Sequence, residues 1–155
     1  MVTAVADRVC CTICGIPADA EYFDVSGART PAEIPEGEQR VLAAFQLHPQ
    51  YCGALLSFAQ FTDLYARDNS QIQTPGFEWA ILQNGKPLFP YMRLELIVNP
   101  WGMNNFCVTI RLDENARVEM VIRRRRGAEI NGLALFAGRL VGRYWYNETF
   151  GGRER

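Results

Sequence analysis

The sequence predicts an α+β domain in which two N-terminal helices and a zinc-knuckle-like segment pack on an antiparallel sheet of about four or five strands. Cysteine pairs and the only histidine lie in the first third of the chain. Apolar residues recur at helical spacing between residues 36 and 68, and period-two alternation follows from residue 76. At 155 residues we expect a single domain, with a metal-bound helical part over 1–75 and a β meander over 76–150.

The front half carries one predicted strand and two predicted helices. Residues Glu21–Val25 form the strand, which Ser26-Gly27 closes. The first helix is expected from about Glu36 to Leu47. Pro49 then begins a second helix that reaches about Asp68 and carries an apolar stripe.

The back half alternates as β-strands do. Residues 77–82 lead into Asn84-Gly85, a hairpin signal because both residues tolerate positive φ. Further alternation over 91–98, 106–112 and 117–123 predicts an antiparallel meander with Arg and Glu on its solvated face. Segment 133–148 is either one more strand or, over Leu133–Val141, a short helix.

Composition excludes several classes of protein. Hydrophobic residues make up 48% of the chain and charged residues 21%, as in soluble globular domains. No apolar run approaches the roughly 18 residues that a membrane span needs, and the N-terminus lacks a basic signal-peptide start. We therefore expect a cytoplasmic protein with no membrane partner, whose cysteine pairs serve metal or redox chemistry rather than disulfides.

The charge is unevenly distributed along the chain. Residues 1–80 carry 4 Arg against 10 Asp and Glu, a balance of −6. Residues 81–155 carry 11 Arg and 1 Lys against 7 acids, a balance of +5, and the two sum to −1. An acidic front and a basic back indicate two charged faces that suit contacts with neighbours in an assembly.

The candidate metal site combines a Cys-x-x-Cys pair with a His-x-x-x-Cys pair: Cys11, Cys14, His48 and Cys52. If Pro49 begins a helix, His48 and Cys52 lie one turn apart and face the same ion. Four closed ligands suit tetrahedral zinc and leave no open position for water, so the predicted role of the zinc is structural.

Other interpretations of these cysteines remain open. Cys10 can replace Cys11 as a ligand, and an iron–sulfur cluster can use Cys10, Cys11, Cys14 and Cys52. The Cys-x-x-Cys pair can also be redox-active. Alternatively, His48 caps the helix, Cys52 packs in the core and the first pair is a reduced surface pair.

The second candidate site is a basic and aromatic surface for a partner, formed by Arg123, Arg124, Arg125, Arg126, Arg143, Trp145 and Trp101. Arginines near aromatic rings suit phosphate contacts and base stacking. In an extended run, however, alternate arginines point to opposite faces. That favours an exposed strand end that meets an acidic protein or solvent.

The predicted function is a non-enzymatic, zinc-stabilised interaction or scaffold subunit that binds a protein partner or further copies of itself. No Walker loop or dinucleotide fingerprint is present, and assigning His48 to zinc leaves no histidine for a nucleophilic triad. One alternative is a nucleic-acid-binding protein that uses the arginine-rich C-terminal half. The other is a metal-dependent or redox enzyme centred on Cys11 and Cys14.

Overall fold

The fold consists of β-strands in two antiparallel sheets. The structure is a computed structural model that describes residues 15–31, 33–63, 77–88, 91, 94–95, 103–127 and 135–147. Within these ranges the chain contains no α-helix, and nothing helical is long and apolar enough to span a membrane. The described residues form ten strands: β1 Glu21–Ser26, β2 Thr30–Pro31, β3 Gln39–Gln46, β4 Tyr51–Asp63, β5 Phe77–Gln83, β6 Lys86–Pro87, β7 Leu94–Glu95, β8 Met103–Leu112, β9 Arg117–Arg124 and β10 Leu135–Tyr146.

The strand order is that of a double-sheet jelly roll. Sheet A has the order β1-β10-β4-β8, and β2 also pairs with β10. Sheet B has the order β3-β9-β5-β6, and β7 also pairs with β5. Ile81 on β5 accepts a hydrogen bond from the amide of Leu88 and donates to the carbonyl of Tyr91, so β6 and β7 act as one interrupted edge strand. In sheet A, strands from the first half of the chain thus alternate with strands from the second half, as in other jelly rolls.

The predicted α+β class and its two N-terminal helices are wrong, because these segments form β3 and β4. Leu55 and Phe58 both face the core although they are three residues apart, since the pairing register shifts between Leu55 and Ser57. A similar shift lies between Val41 and Ala43 on β3. A β-bulge inserts one residue and displaces the alternation, so a bulged strand imitates the three- and four-residue spacing of a helix.

Several predictions for the β part are confirmed. Strand β1 covers Glu21–Val25, and the hairpin at Asn84-Gly85 has φ angles of 53° and 78°. Segment 133–148 forms a strand over its described residues from Leu135, and β8 and β9 follow the predicted alternation. The meander is wrong, because β8 belongs to sheet A and β9 to sheet B. Alternation shows that a strand follows a turn, but it does not show which sheet the strand joins.

The core lies between the sheets and depends on close approach at inner-face glycines. A Cβ atom added at Gly138 would lie 2.7 Å from the Sδ atom of Met120 in sheet B. One added at Gly142 would lie 2.5 Å from the ring of Phe23, its cross-strand partner. Larger side chains fill the rest of the layer, and those that are fully buried include Leu55, Phe58, Trp79, Ile81, Leu112, Met120, Ile122 and Phe136.

Candidate interaction surface

The two described residues of the candidate metal site, His48 and Cys52, do not have the helical relationship expected for them. His48 is exposed in the turn before β4, whereas Cys52 is 7% exposed on β4 beside Trp145. Because β4 is a strand, the expected one-turn relationship between them does not exist. Burial also raises the pKa of the Cys52 thiol.

The other metal-site residues, Cys10, Cys11 and Cys14, lie outside the described residues. Across the ranges that the structure describes, no group of three or more His, Cys, Asp or Glu side chains could hold a metal ion. The predictions of structural zinc and of an iron–sulfur cluster therefore gain no support from His48 or Cys52.

The arginine run 123–126 divides between the interior and the surface. The side chain of Arg124 is only 12% exposed, and its Nη1 donates to the carbonyl oxygen of Ile34 at 3.0 Å. The neighbouring Arg125 is exposed and forms an ion pair with Glu78. Arg124 thus contacts the loop before β3 and Arg125 contacts β5. The four arginines therefore do not form one continuous basic stripe.

Two other predicted partner residues lie on the opposite side of the molecule. Arg143 and Trp145 occupy the outer face of sheet A, whereas Arg123 occupies the outer face of sheet B. The structure therefore does not bring the arginine run together with Arg143 and Trp145. Trp101 lies outside the described residues.

Strand register places a row of four side chains across the outer face of sheet A: Tyr22, Arg143, Ala54 and Arg111, from β1, β10, β4 and β8. Trp145 and its cross-strand neighbour Cys52 form the next row toward the strand ends. We call these six residues the sheet A surface. Because neighbouring strands lie about 4.8 Å apart, the Cα atoms of the two arginines lie about 10 Å apart, with the small side chain of Ala54 between them.

Arg143 is held in a defined orientation on this surface. Its Nη2 donates to the carbonyl oxygens of Ala18 at 3.2 Å and Ala20 at 2.8 Å. Its guanidinium carbon lies 4.7 Å from the centre of the Tyr22 ring. These contacts orient the cation without neutralising it, and no carboxylate of the described residues forms an ion pair with Arg143.

Two of the charges near this surface are arginines with nearby carboxylates. Arg139 donates two hydrogen bonds to Asp24, so these two charges compensate each other. The side chain of Arg111 is 77% exposed, and its Nε lies 4.0 Å from the carboxylate of Asp113, which is equally exposed. Such a long, solvated pair contributes little. Among the six residues of the sheet A surface, Arg143 and Arg111 are therefore the cations that can meet a ligand.

The sequence pattern predicts Arg143 and Trp145 as partner residues, but it does not indicate Tyr22 or Arg111. The available indication for Tyr22 was its phase in β1, where it alternates with the buried Phe23 and shares the outward side with Asp24. In the structure Tyr22 is 71% exposed, as its outward position in β1 indicates. Nothing local linked Tyr22 to Arg143, since their pairing is a product of the fold.

Comparison with models of known protein families gives no match, and no curated protein matches the chain. Its class therefore rests on the fold and the surface alone. The chain is a jelly-roll β-sandwich whose sheet A surface carries two arginines and two aromatic side chains.

Proposed function

We propose that the protein is a non-enzymatic interaction module that binds an acidic segment of a protein partner through the sheet A surface. The orientation of Arg143 is the observation that carries this function. Its guanidinium is half-buried, positioned by two carbonyl oxygens and the Tyr22 ring, and without a carboxylate among the described residues. A cation fixed in advance loses little side-chain entropy on binding, and Arg, Tyr and Trp are typical of interface hot spots.

The spacing of the two cations defines the partner further. Arg143 and Arg111 flank Ala54, a small side chain that is fully buried between its neighbours. The Arg143 guanidinium lies over the Tyr22 ring on β1, whereas Arg111 extends from β8, two strands away on the other side. An acidic segment that crosses the strands can therefore place one carboxylate on each guanidinium group. Trp145 adds apolar contact area at the edge of the same surface.

Short labelled peptides test this function directly. Peptides that carry two Asp or Glu residues at varied separations are compared with otherwise identical peptides that carry Asn or Gln, by fluorescence anisotropy. We expect selective binding of the acidic peptides. Arg143→Gln or Arg111→Gln is expected to weaken it about tenfold or more, because each removes a charge-assisted hydrogen bond of about 1.5–3 kcal/mol.

Arg123→Gln is the matched control, because Arg123 is exposed on the outer face of sheet B. Thermal melting of each variant separates lost binding from lost folding. If Arg143→Gln does not fold, Arg111→Gln still tests the proposal, because the Arg111 side chain is exposed and its replacement should not affect folding. Equal binding of acidic and amide peptides contradicts the proposal. So does exclusive binding of single-stranded oligonucleotides with a steep salt dependence, which would make the partner a nucleic acid.

A further inference from the structure

A chain of aromatic contacts lies at the end of the sandwich where β10 finishes. The ring centre of Tyr144 on β10 is 5.7 Å from that of Phe45 on β3 and 5.9 Å from that of Tyr51 on β4. The ring centre of Tyr51 is also 5.8 Å from that of Tyr146, its cross-strand partner. We call Phe45, Tyr51, Tyr144 and Tyr146 the aromatic cluster, and it joins strands from both sheets.

The rings of the aromatic cluster are not fully covered by protein. Tyr146 is 42% exposed, and the other three residues are half-buried where they pack against the core. The Tyr51 and Tyr146 rings meet at 84°, an edge-to-face contact that engages one face of a single ring. Ring surface in this cluster is therefore open to a ligand.

A carboxylate borders the aromatic cluster. Glu21 on β1 is the cross-strand partner of Tyr144 and accepts a hydrogen bond from the Tyr144 hydroxyl. This bond raises the pKa of the Tyr144 hydroxyl, so the hydroxyl remains a neutral donor. Glu21 is exposed, and no basic side chain of the described residues forms an ion pair with it. The carboxylate and the negative ring faces attract the same kind of ligand, which is a cation.

We infer that the aromatic cluster and Glu21 form a binding site for an organic ammonium cation, with a quaternary ammonium group as the preferred form. Its methyl groups contact the rings, and its positive charge is attracted by the ring faces and by Glu21. Calcium needs six or more oxygen ligands, and an anion is repelled by the carboxylate. Tyr144 and Tyr146 alternate along β10 with Arg143 and Trp145, so this site lies on the other side of the sheet from the sheet A surface and does not depend on its function.

Choline is the first probe, and its neutral analogue, in which a quaternary carbon replaces the nitrogen, is the matched control. Both are titrated into the unmodified protein and followed by proton NMR of the ligand. We expect saturation transfer to the methyl protons of choline and an upfield shift, because ring faces shield them. The analogue should bind about two- to fivefold more weakly, the size of an exposed cation–π contact. Equal affinity of the two molecules, or no transfer to choline in the millimolar range, overturns the inference.

Two variants locate the site. Tyr146→Leu removes the most exposed ring of the cluster, and Glu21→Gln removes the charge while keeping an acceptor for the Tyr144 hydroxyl. Each is expected to weaken choline binding about two- to fivefold, and Tyr146→Phe should restore it. Tyr22→Leu and Glu33→Gln are the controls, because Tyr22 lies on the outer face and Glu33 follows β2, which pairs with the start of β10. Control variants that bind as weakly as the site variants overturn the inference.

Thermal melting shows whether each variant is folded. Should Tyr146→Leu not fold, Glu21→Gln still tests the site, because the Glu21 side chain is exposed. A short peptide that carries trimethyl-lysine then distinguishes the source of the ammonium group. Tighter binding of the peptide than of choline indicates a protein side chain, and weaker binding indicates a free small molecule. Both results support an ammonium site, whereas equal binding of the same peptide with a neutral side chain in place of trimethyl-lysine overturns it.

Discussion

Arg143 and Tyr22 are direct cross-strand partners in the pairing of β10 with β1, and the guanidinium carbon lies 4.7 Å from the ring centre. This contact exists only in the observed register. A shift of one residue would turn Tyr22 toward the core and bring Phe23 to the outer face. The proposed binding surface therefore depends on the same register that builds the core.

Replacing Tyr22 with Ala is expected to weaken acidic-peptide binding without unfolding the protein. The ring is 71% exposed, so its loss should change the free energy of unfolding by less than about 0.5 kcal/mol. Arg143 would lose its stacking partner and hence part of its fixed orientation. Tyr22→Phe keeps the ring and should bind as the unmodified protein does. Anisotropy and chemical denaturation measure the two effects, and unchanged affinity in Tyr22→Ala would show that the ring has no part in binding.

We expect Arg124, but not Arg126, to contribute to the free energy of unfolding. The Arg124 side chain donates to the carbonyl oxygen of Ile34, and its Nη2 lies 3.6 Å from the carboxylate of Glu36. Arg124→Met leaves that carbonyl without its donor and should destabilise the fold by about 1–3 kcal/mol. Arg126 is exposed in a turn, so Arg126→Met is the matched control. Urea denaturation compares them, and equal stabilities would contradict a structural role for Arg124.

Gly142 is expected to tolerate no side chain. An added Cβ would lie 2.1 Å from the carbonyl oxygen of Ala54 and 2.5 Å from the Phe23 ring. Gly142→Ala must displace backbone or ring and should cost about 1–3 kcal/mol of stability. An added Cβ at Gly15 meets nothing within 4 Å, so Gly15→Ala should melt as the unmodified protein does. Identical melting temperatures for the two variants would show that the sheet adapts at Gly142.

The local part of the fold was predictable from the sequence, and the long-range part was not. Asn84-Gly85 predicts its hairpin because the turn requires positive φ angles, which few residue types other than Asn and Gly adopt readily. Strands β3 and β4 were missed because bulges displaced their alternation into a helical pattern. The meander failed because local alternation contains no information on which sheet a strand enters.

The residues of the candidate surface were likewise predictable only where they lie close together in the sequence. Arg143 and Trp145 were selected because basic and aromatic residues lie close together in the sequence. Tyr22 and Arg111 join them only through pairing of strands that are far apart in the chain. The sequence groups the arginine run with Arg143 as candidate partner residues, but the two-sheet topology separates them.

The two described cysteines are expected to differ in reactivity. Cys107 is exposed on β8, whereas Cys52 is buried and its thiol pKa is raised by desolvation. A thiol reagent should therefore modify Cys107 in the native protein and Cys52 only after unfolding, as peptide mass spectrometry can show. We expect a chelator to leave the protection of Cys52 unchanged, because its side chain is only 7% exposed. Chelator-dependent exposure of Cys52 would instead support the zinc prediction.

The Arg139–Asp24 pair predicts a small, acid-sensitive contribution to stability. The hydrogen bond from Arg139 lowers the pKa of the Asp24 carboxyl below its ordinary 3.8. A carboxyl whose pKa is lower in the folded state stabilises the fold above its unfolded pKa, and the contribution is lost as the pH falls through the folded value. Both side chains are about half exposed, so solvent screening keeps this contribution small.

Arg139→Gln is expected to raise the pKa of Asp24 toward 3.8 and to flatten the acid limb of the stability profile. Carboxyl NMR titration of Asp24 measures the first effect, and denaturation between about pH 2 and pH 5, around the usual carboxyl range, measures the second. Added salt should shift the pKa of Asp24 in the same direction as the substitution, since it screens the exposed pair. An Asp24 pKa that is the same with and without Arg139 would show that the hydrogen bond seen in the structure does not persist in solution.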